Sequence, residues 1–445
     1  PGDNLTPDDV VKFTAAFTGW IVQTGRRKKI VIGRDARVSG GLFSSIVSST
    51  LQAMGAEVID CGLSTTPTVQ MAVMHHKAGG GIILTASHNP MQWNALKLLN
   101  EKGEFISEAD GRSVLALAES GQLAYAEVGH LGTYSTDEDA LIRHINEIKS
   151  LELVNVAAIK RKKLVVAVDA VNSTGGIAVP ALLESLGVQE VIKVHCEPHG
   201  KFAHNPEPLP ENLTDLSQQV KIHRAHLGLA VDPDVDRLAL VCEDGSMFGE
   251  EYTLVAVADY ILKHEPGNTV SNLSSTRALR DVTEKAGGTY SAAAVGEVHV
   301  VAKMKEVKAV IGGEGNGGII YPRLHYGRDA LVGIALFLSH LATSNKICSV
   351  LRQQFPNYVI SKNKIQLTPG INLDRILLDI QKKYKKQPIN TEDGLKIEFD
   401  GDWVHLRKSN TEPIIRIYSE SRHETTSNQL AAKIMEDIKT LLKEN

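Results

Sequence analysis

No excess of charge of one sign marks this sequence: 48 Lys and Arg stand against 52 Asp and Glu, a formal net charge of −4. That near-balance argues against a nucleic-acid groove and against attraction to an anionic membrane surface. The basic runs RRKK (26–29) and KRKK (160–163) are short and stand just ahead of apolar runs, so they read as solvated entries to strands. No apolar run approaches the ~20 residues that a membrane-crossing helix requires, and PGDNLTPDDV at the start is not a secretory signal. Cysteine is sparse. Cys61, Cys196, Cys242 and Cys348 lie far apart, with no C-x-x-C pair and no metal-ligand spacing. Such spacing fits small buried hydrophobes in a reducing cytoplasm better than a disulfide framework.

What is present is length, with 445 residues of which 42% are hydrophobic. One core rarely serves so long a chain, so about two to four domains are expected. Residues 30–61 (IVIGRDARVSGGLFSSIVSSTLQAMGAEVIDC) parse as a strand, a polar turn, a helix, a glycine stop and a second strand. Residues 164–194 repeat that grammar, with Asp169 near the place of Asp35 and Gly187 near that of Gly55, and residues 268–296 form a weaker third copy. The alternation predicts parallel sheets covered by helices, whose strand-to-helix turns face a ligand side suited to phosphate. Beyond about residue 362, strands pair with helices without that order, which predicts a smaller α+β domain. The expected architecture is three successive doubly wound α/β domains of similar topology (1–153, 154–250 and 251–362) plus a C-terminal α+β domain (363–445) around a central cleft.

Four loops carry chemistry-bearing side chains. In GIILTASHNP (81–90), Ser87 follows a β-rich run; a serine is a poor nucleophile without a base, a metal or cations beside it, and an N-cap or turn serine would look the same. In AVDPDVDRLAL, Asp232, Asp234 and Asp236 alternate after an apolar run, with Arg237 behind them. Carboxylates so close repel unless a cation neutralises them, and oxygen-only ligands select a hard ion such as Mg²⁺. The start resembles a calcium loop, but the glycine at its sixth position and the glutamate at its twelfth are absent. In IGGEGNGGIIYP (311–322), the glycines allow close backbone approach, and Glu314 with Asn316 can hold vicinal sugar hydroxyls; the pattern is not G-x-G-x-x-G. In RKSNTEP (407–413), Arg407, Ser409, Asn410 and Thr411 offer donors suited to a phosphate monoester, or to capping a turn between strands.

Taken in order, GRDARVSG, TASHNP, DPDVDR, GGEGNGG and RKSNTEP resemble the marker segments of the α-D-phosphohexomutase superfamily, and the resemblance runs from about Leu5 to the C-terminal helix. It implies that Ser87 is carried as a phosphoserine and gives its phosphoryl group to a sugar phosphate. The bisphosphorylated sugar then turns over and returns its other phosphate. It further implies that Asp232, Asp234 and Asp236 hold Mg²⁺ against that serine, with Arg237 beside them. Lys97 and His88 become candidates for proton transfer, and a lysine beside a metal and an arginine is expected to have a lowered pKa. Glu314 and Asn316 would read sugar hydroxyls, and the Arg407–Thr411 loop would grip the distal phosphate. Mg²⁺ is the implied cofactor, a sugar 1,6-bisphosphate the activator, and a small-molecule sugar phosphate the partner. No nucleic acid or membrane partner is implied, and the chain would work as a cytoplasmic monomer or homodimer.

The sequence departs from the family pattern in three places. Gly318 stands where many bacterial relatives carry histidine, with His325 and His299 as possible substitutes. Pro233 and Val235 replace glycines of the commoner metal loop. The segment G-T-S-G-I-R-G, expected ahead of LTPDDV, is not present, so residues are expected to be missing before Pro1. NPEPLPENL (205–213) and GEGNGG look like the archaeal subgroup assigned to glucosamine phosphate. VGEVHV places Glu297 where such enzymes have an acid, and a carboxylate near the sugar C2 would favour an ammonium over a hydroxyl. The competing readings are a bifunctional phosphomannomutase/phosphoglucomutase, a Mg²⁺-dependent sugar phosphatase, and a catalytically silent sugar-phosphate sensor.

Overall fold

Apolar residues in the first strand face both ways, and this sets the architecture. The computed structural model of the chain describes residues 5–121, 123–366, 373–408 and 414–444. In β1 (Lys29–Arg34), Ile30 and Ile32 join a core with Val58, Ile82 and Leu84, while Val31 joins another with Ile59, Ile83 and Leu99. A strand buried on both faces needs helices on both, which parallel pairing with helical crossovers supplies. β1 pairs in parallel with β2 (Glu57–Leu63) and β3 (Gly80–Leu84), and β4 (Leu96–Leu99) lies antiparallel on β3. A short parallel strand, β5 (Tyr134–Thr136), edges β2.

That order recurs twice. β6 (Val165–Asp169) lies between β7 (Glu190–Val194) and β8 (Leu227–Val231), with β9 (Leu238–Cys242) antiparallel on β8. β10 (Thr269–Asn272) lies between β11 (Tyr290–Ala293) and β12 (Ile311–Glu314), with β13 (Gly318–Ile320) antiparallel on β12. The chain therefore has three α/β units of one topology, as expected. Each adds an element that the repeat grammar did not contain: a strand that turns back as a hairpin from the third strand.

The final sheet is antiparallel, in the order β14 (Val359–Gln366), β18 (Ile414–Ser421), β17 (Trp403–Lys408), β16 (Leu395–Glu398) and β15 (Ile389–Asn390). Ile365, Leu406 and Ile417 pack there against Ile376 and Ile380 of the helix Leu373–Lys383 and Ile434 and Ile438 of the helix Glu424–Glu444. This is the expected α+β domain. We propose dividing the chain after residues 153, 250 and 358, since β14 opens at Val359 and a division after 362 would cut it.

The middle two units are not separate bodies. One apolar cluster runs from Ile145 to Tyr358, and the helices Glu250–His264 and Ala330–Ser344 are buried along most of their length inside it. Phe337 from the second of these helices meets Phe248 of the metal-loop unit edge to face, with ring centroids 5.3 Å apart. Deleting a buried phenyl ring usually costs about 3–5 kcal/mol. Phe337→Ala should therefore lower the urea midpoint by that equivalent, with both units lost in one transition by circular dichroism; two separated transitions would contradict a shared core.

Candidate active site

The three hairpins converge, and each is held by the strand-to-helix turn of its own unit. Ser87 lies on the connection between β3 and β4, buried, at a left-handed φ of 50°. Non-glycine residues seldom hold that conformation, and it persists where surroundings over-determine it. Here they do so through Arg37, on the turn after β1. Its Nη2 donates to Ser87 O (2.6 Å) and Asn89 O (2.7 Å), its Nη1 to Pro90 O (2.6 Å) and Trp93 O (3.1 Å), and its Nε to Asp35 Oδ2 (3.0 Å). Thr85 Oγ1 donates to the same Asp35 oxygen at 2.7 Å and accepts from Ser87 N at 2.9 Å. Burial pushes the Asp35 carboxyl up to about 6, opposed by Arg37.

On the second unit, the turn after β6 supplies Ser173 Oγ (2.7 Å) and Thr174 Oγ1 (2.8 Å), both donating to Pro233 O in the β8–β9 hairpin. On the third, Asn272 Nδ2 donates to Glu314 Oε1 (2.8 Å), and Ser275 Oγ accepts from Gly315 N (2.9 Å) in the β12–β13 hairpin. The turns thus position the hairpins, and the hairpins carry the chemistry. This refines the expectation that the turns themselves would line the site.

Asp232, Asp234 and Asp236 are completely buried, and one carboxylate oxygen from each lies within 4.8 Å of the others. Asp232 Oδ1 accepts from the Asp236 and Arg237 amides (3.1 Å each), and its Oδ2 accepts from Ser87 Oγ at 2.9 Å. Asp234 Oδ2 accepts from Lys97 Nζ at 2.6 Å and from Thr66 Oγ1, and Asp236 Oδ2 accepts from Arg328 Nη2 at 2.7 Å. Asp234 Oδ1 and Asp236 Oδ1 are buried with no hydrogen-bond donor. Unpartnered buried carboxylate oxygens are costly, and oxygen donors pointed together suit a hard dication. The residues present fit Mg²⁺. Burial and the flanking Asp236 and Asp234 raise the Asp232 carboxyl well above its ordinary range. For Asp234, burial pulls upward but Lys97 outweighs it and holds the carboxyl below that range. Val235, at the apex, adopts a φ of 63° and is tied on both sides, its N–H to Asp232 O (3.1 Å) and its carbonyl to Ala330 N (3.1 Å). The glycines of the commoner loop are thus not required for this turn.

Lys97 departs from its expected titration. Burial would lower its pKa, but Asp234 and Asp236 (2.6 and 3.5 Å) raise it above the ordinary lysine value instead. His88 Nδ1 lies 3.3 Å from Ser87 Oγ, and burial, aided by Arg237, lowers its pKa to about 3, so the ring is neutral. Arg237 is buried, its Nη1 is 3.5 Å from Glu207 Oε1, and its Nε has no hydrogen-bond partner.

Glu314 and Glu297 are both buried and both bonded to Arg328, through Nη1 (2.6 Å) and Nε (3.0 Å). Burial raises the Glu297 carboxyl to about 7 against the pull of Arg328; for Glu314, burial is outweighed by Arg328, the Asn272 hydrogen bond and Arg237 acting together, and the carboxyl is lowered. Asn316 Oδ1 closes its own turn by accepting from Gly318 N at 3.1 Å. Arg407 forms a 2.6 Å ion pair with Asp393, without hydrogen-bond geometry at its Nε. Ser409, Asn410 and Thr411 lie outside the described residues, as does the start of the chain through Asn4. Neither proposed histidine substitute joins the cluster: His325 Nε2 pairs with Asp329 Oδ2 at 3.2 Å, and His299 is exposed.

Sequence reading missed Arg37, Thr66 and Arg328. The first lies within the quoted GRDARVSG, but nothing in the segment announces four carbonyl partners from 50 or more residues away. The orphaned oxygens supply a test. Asp234→Asn removes one of three charges, and calorimetry should find Mg²⁺ affinity weakened on the order of tenfold or more, since ligand charge count sets such affinities.

Comparison with known proteins agrees with this arrangement along the chain. The phosphoglucomutase/phosphomannomutase alpha/beta/alpha domains I, II and III match residues 1–124, 142–245 and 249–358, and the C-terminal domain of that family matches residues 369–437. A phosphoglucomutase/phosphomannomutase of Thermococcus kodakarensis is 35% identical over 444 residues, covering 98% of this chain and 96% of that one. A probable phosphoglucosamine mutase of Methanopyrus kandleri is 31% identical over 446 residues, covering 100% and 96%. The crystal structure of a phosphoglucomutase/phosphomannomutase family protein from Burkholderia thailandensis matches with a TM-score of 0.86 at 26% identity, covering 99% and 94%. Matched over nearly its whole length in sequence and in fold, the chain belongs to the phosphoglucomutase/phosphomannomutase family.

Proposed function

We propose that this chain is a phosphohexomutase interconverting a hexose 6-phosphate and its 1-phosphate, with glucosamine phosphate as the sugar. The observation that supports this most is the contact of Ser87 Oγ with Asp232 Oδ2 at 2.9 Å, which seats a nucleophile from one unit on the carboxylate trio of another. A binding module has no need of that pairing. In the forward half-reaction a sugar hydroxyl attacks phosphorus of the phosphorylated serine. The new P–O bond forms as the bond to Ser87 Oγ breaks, and the hydroxyl proton passes to the neutral ring of His88, whose Nδ1 lies 3.3 Å from Ser87 Oγ and returns a proton to that leaving oxygen; Lys97 already holds its own. The reverse half-reaction returns the other phosphoryl group to Ser87 Oγ. Bound by Asp232, Asp234 and Asp236, Mg²⁺ neutralises charge on the transferring group. Arg237 adds a second positive charge beside the serine, Glu314 and Asn316 orient the ring hydroxyls, and Arg407 with Ser409, Asn410 and Thr411 holds the phosphate that is not reacting. A sugar 1,6-bisphosphate would serve as activator by loading the serine.

The glucosamine assignment rests on Glu297 and on likeness to relatives such as the probable phosphoglucosamine mutase. The relative named phosphoglucomutase/phosphomannomutase, at 35% identity, favours a second reading in which mannose and glucose phosphates are the substrates. A cytoplasmic location accords with four free cysteines and with the absence, among the described residues, of any helix long and apolar enough to cross a membrane.

Intact-mass measurement of purified protein should reveal a partly phosphorylated species, mapped to Ser87 by phosphopeptide analysis. Ser87→Ala should abolish turnover in a coupled assay primed with glucose 1,6-bisphosphate while leaving the thermal melt unchanged; an active alanine variant would contradict the mechanism. For the sugar, Glu297→Gln should lower kcat/KM for glucosamine phosphate about ten- to a hundredfold more than for glucose phosphate, the worth of one charge-assisted hydrogen bond. Equal losses on both would favour the second reading.

A further inference from the structure

Gly318 is glycine for a reason of space. A Cβ built on it would lie 2.4 Å from Arg328 Cδ and 3.1 Å from Arg328 Cγ. The stem of Arg328 therefore runs over the Gly318 α-carbon, and any side chain at 318 would have to displace it. What the stem delivers is a buried guanidinium with a different carboxylate on each nitrogen. Nε donates to Glu297 Oε2 at 3.0 Å, Nη1 to Glu314 Oε2 at 2.6 Å and Nη2 to Asp236 Oδ2 at 2.7 Å. Those acids come from three places: the first residue of the helix Glu297–Val307, the end of β12, and the metal loop of the neighbouring unit. A planar fork with fixed donor directions can hold three acids in register; an ammonium on a flexible stem cannot.

We propose that Arg328 is the positioning residue that couples sugar recognition to the metal loop, locking Glu297 and Glu314 to Asp236 through the space that glycine at 318 leaves free. The inference rests on the proposed function for the role of the two glutamates, but its geometry does not. It has two consequences of opposite sign. Losing Arg328 frees Glu297 and Glu314, so sugar binding weakens. It also removes a positive charge 2.7 Å from a metal-ligating carboxylate, so Mg²⁺ binding strengthens.

The test measures KM and kcat for glucosamine 6-phosphate and glucose 1-phosphate, Mg²⁺ affinity by calorimetry, and thermal melting, on the full chain. Arg328→Gln should raise KM roughly ten- to a hundredfold, the range for lost charge-assisted hydrogen bonds, while Mg²⁺ binds more tightly. Gly318→Ala keeps every charge but pushes the stem aside, so it should raise KM in the same direction. The double variant Gly318→Ala/Arg328→Ala should be no worse than Arg328→Ala alone, because alanine at 328 lacks the Cγ and Cδ that a Cβ at 318 would meet, atoms that glutamine keeps. A merely structural arginine would weaken Mg²⁺ and sugar binding together, in step with the melt. That result, an unchanged KM, or additive effects in the double variant would overturn the proposal. If Arg328→Gln does not fold, Gly318→Ala decides. If the wild-type chain turns over neither sugar, the proposed function has failed, whereas the Mg²⁺ arm still reports on Arg328.

Discussion

Three carboxylates packed within 4.8 Å and out of contact with water are the constraint around which this molecule is arranged. Like charges ~4 Å apart repel by roughly 4 kcal/mol per pair even at an effective dielectric of ~20. The protein answers from every side. Lys97 comes from the first unit, Arg328 from the third, and two backbone amides of the second unit point at Asp232. Against the pull of burial, Lys97 keeps the Asp234 carboxyl below its ordinary range, yet that of Asp232 stays raised well above it, and two oxygens remain buried without a hydrogen-bond donor. A site built this way is short of positive charge until a dication arrives, and Ser87 Oγ is already hydrogen-bonded to it.

Because the compensating charges belong to different units, the electrostatics of the site and the packing of the domains are one problem. Backbone hydrogen bonds join the units at the same loops: Thr66 N to Asp234 O (2.9 Å), Ala330 N to Val235 O (3.1 Å) and Leu238 N to Gly317 O (3.1 Å). A second fastening lies deeper, where His144 Nε2 from the end of the first unit donates to Asp329 Oδ2 at 2.9 Å while Asp329 Oδ1 caps the helix Ala330–Ser344. That helix lies in the core shared by the second and third units. The metal loop is therefore gripped by its neighbours through the backbone as well as through charge.

Three copies of one topology allow this convergence with little invention. Each unit presents the hairpin between its third and fourth strands at the same end of its sheet, and each braces that hairpin from the turn after its first strand. One copy carries the serine, one the carboxylates and one the glutamate. Equivalent loops thus bring different side chains to one place, each held by a hydrogen bond within its own unit.

The sequence by itself determined the repeat, the covered parallel sheets, the smaller α+β C-terminal domain and the four loops, because each of these is written in local order: apolar runs, turn residues, and acids at alternate positions. It also pointed to the aspartates, since three acids so close in an apolar setting call for a cation, whereas Ser87 stood out only through the resemblance of the ordered segments to a known family. Only the tertiary structure decided who answers them. Lys97 was read as a base of lowered pKa, yet two aspartates more than 130 residues away hold its proton in place. Arg328 sits in irregular backbone just ahead of the helix Ala330–Ser344, and its three acids lie 14, 31 and 92 residues distant in the chain. The pairing of buried charges depends on distance in space, and no pattern along the chain records that distance.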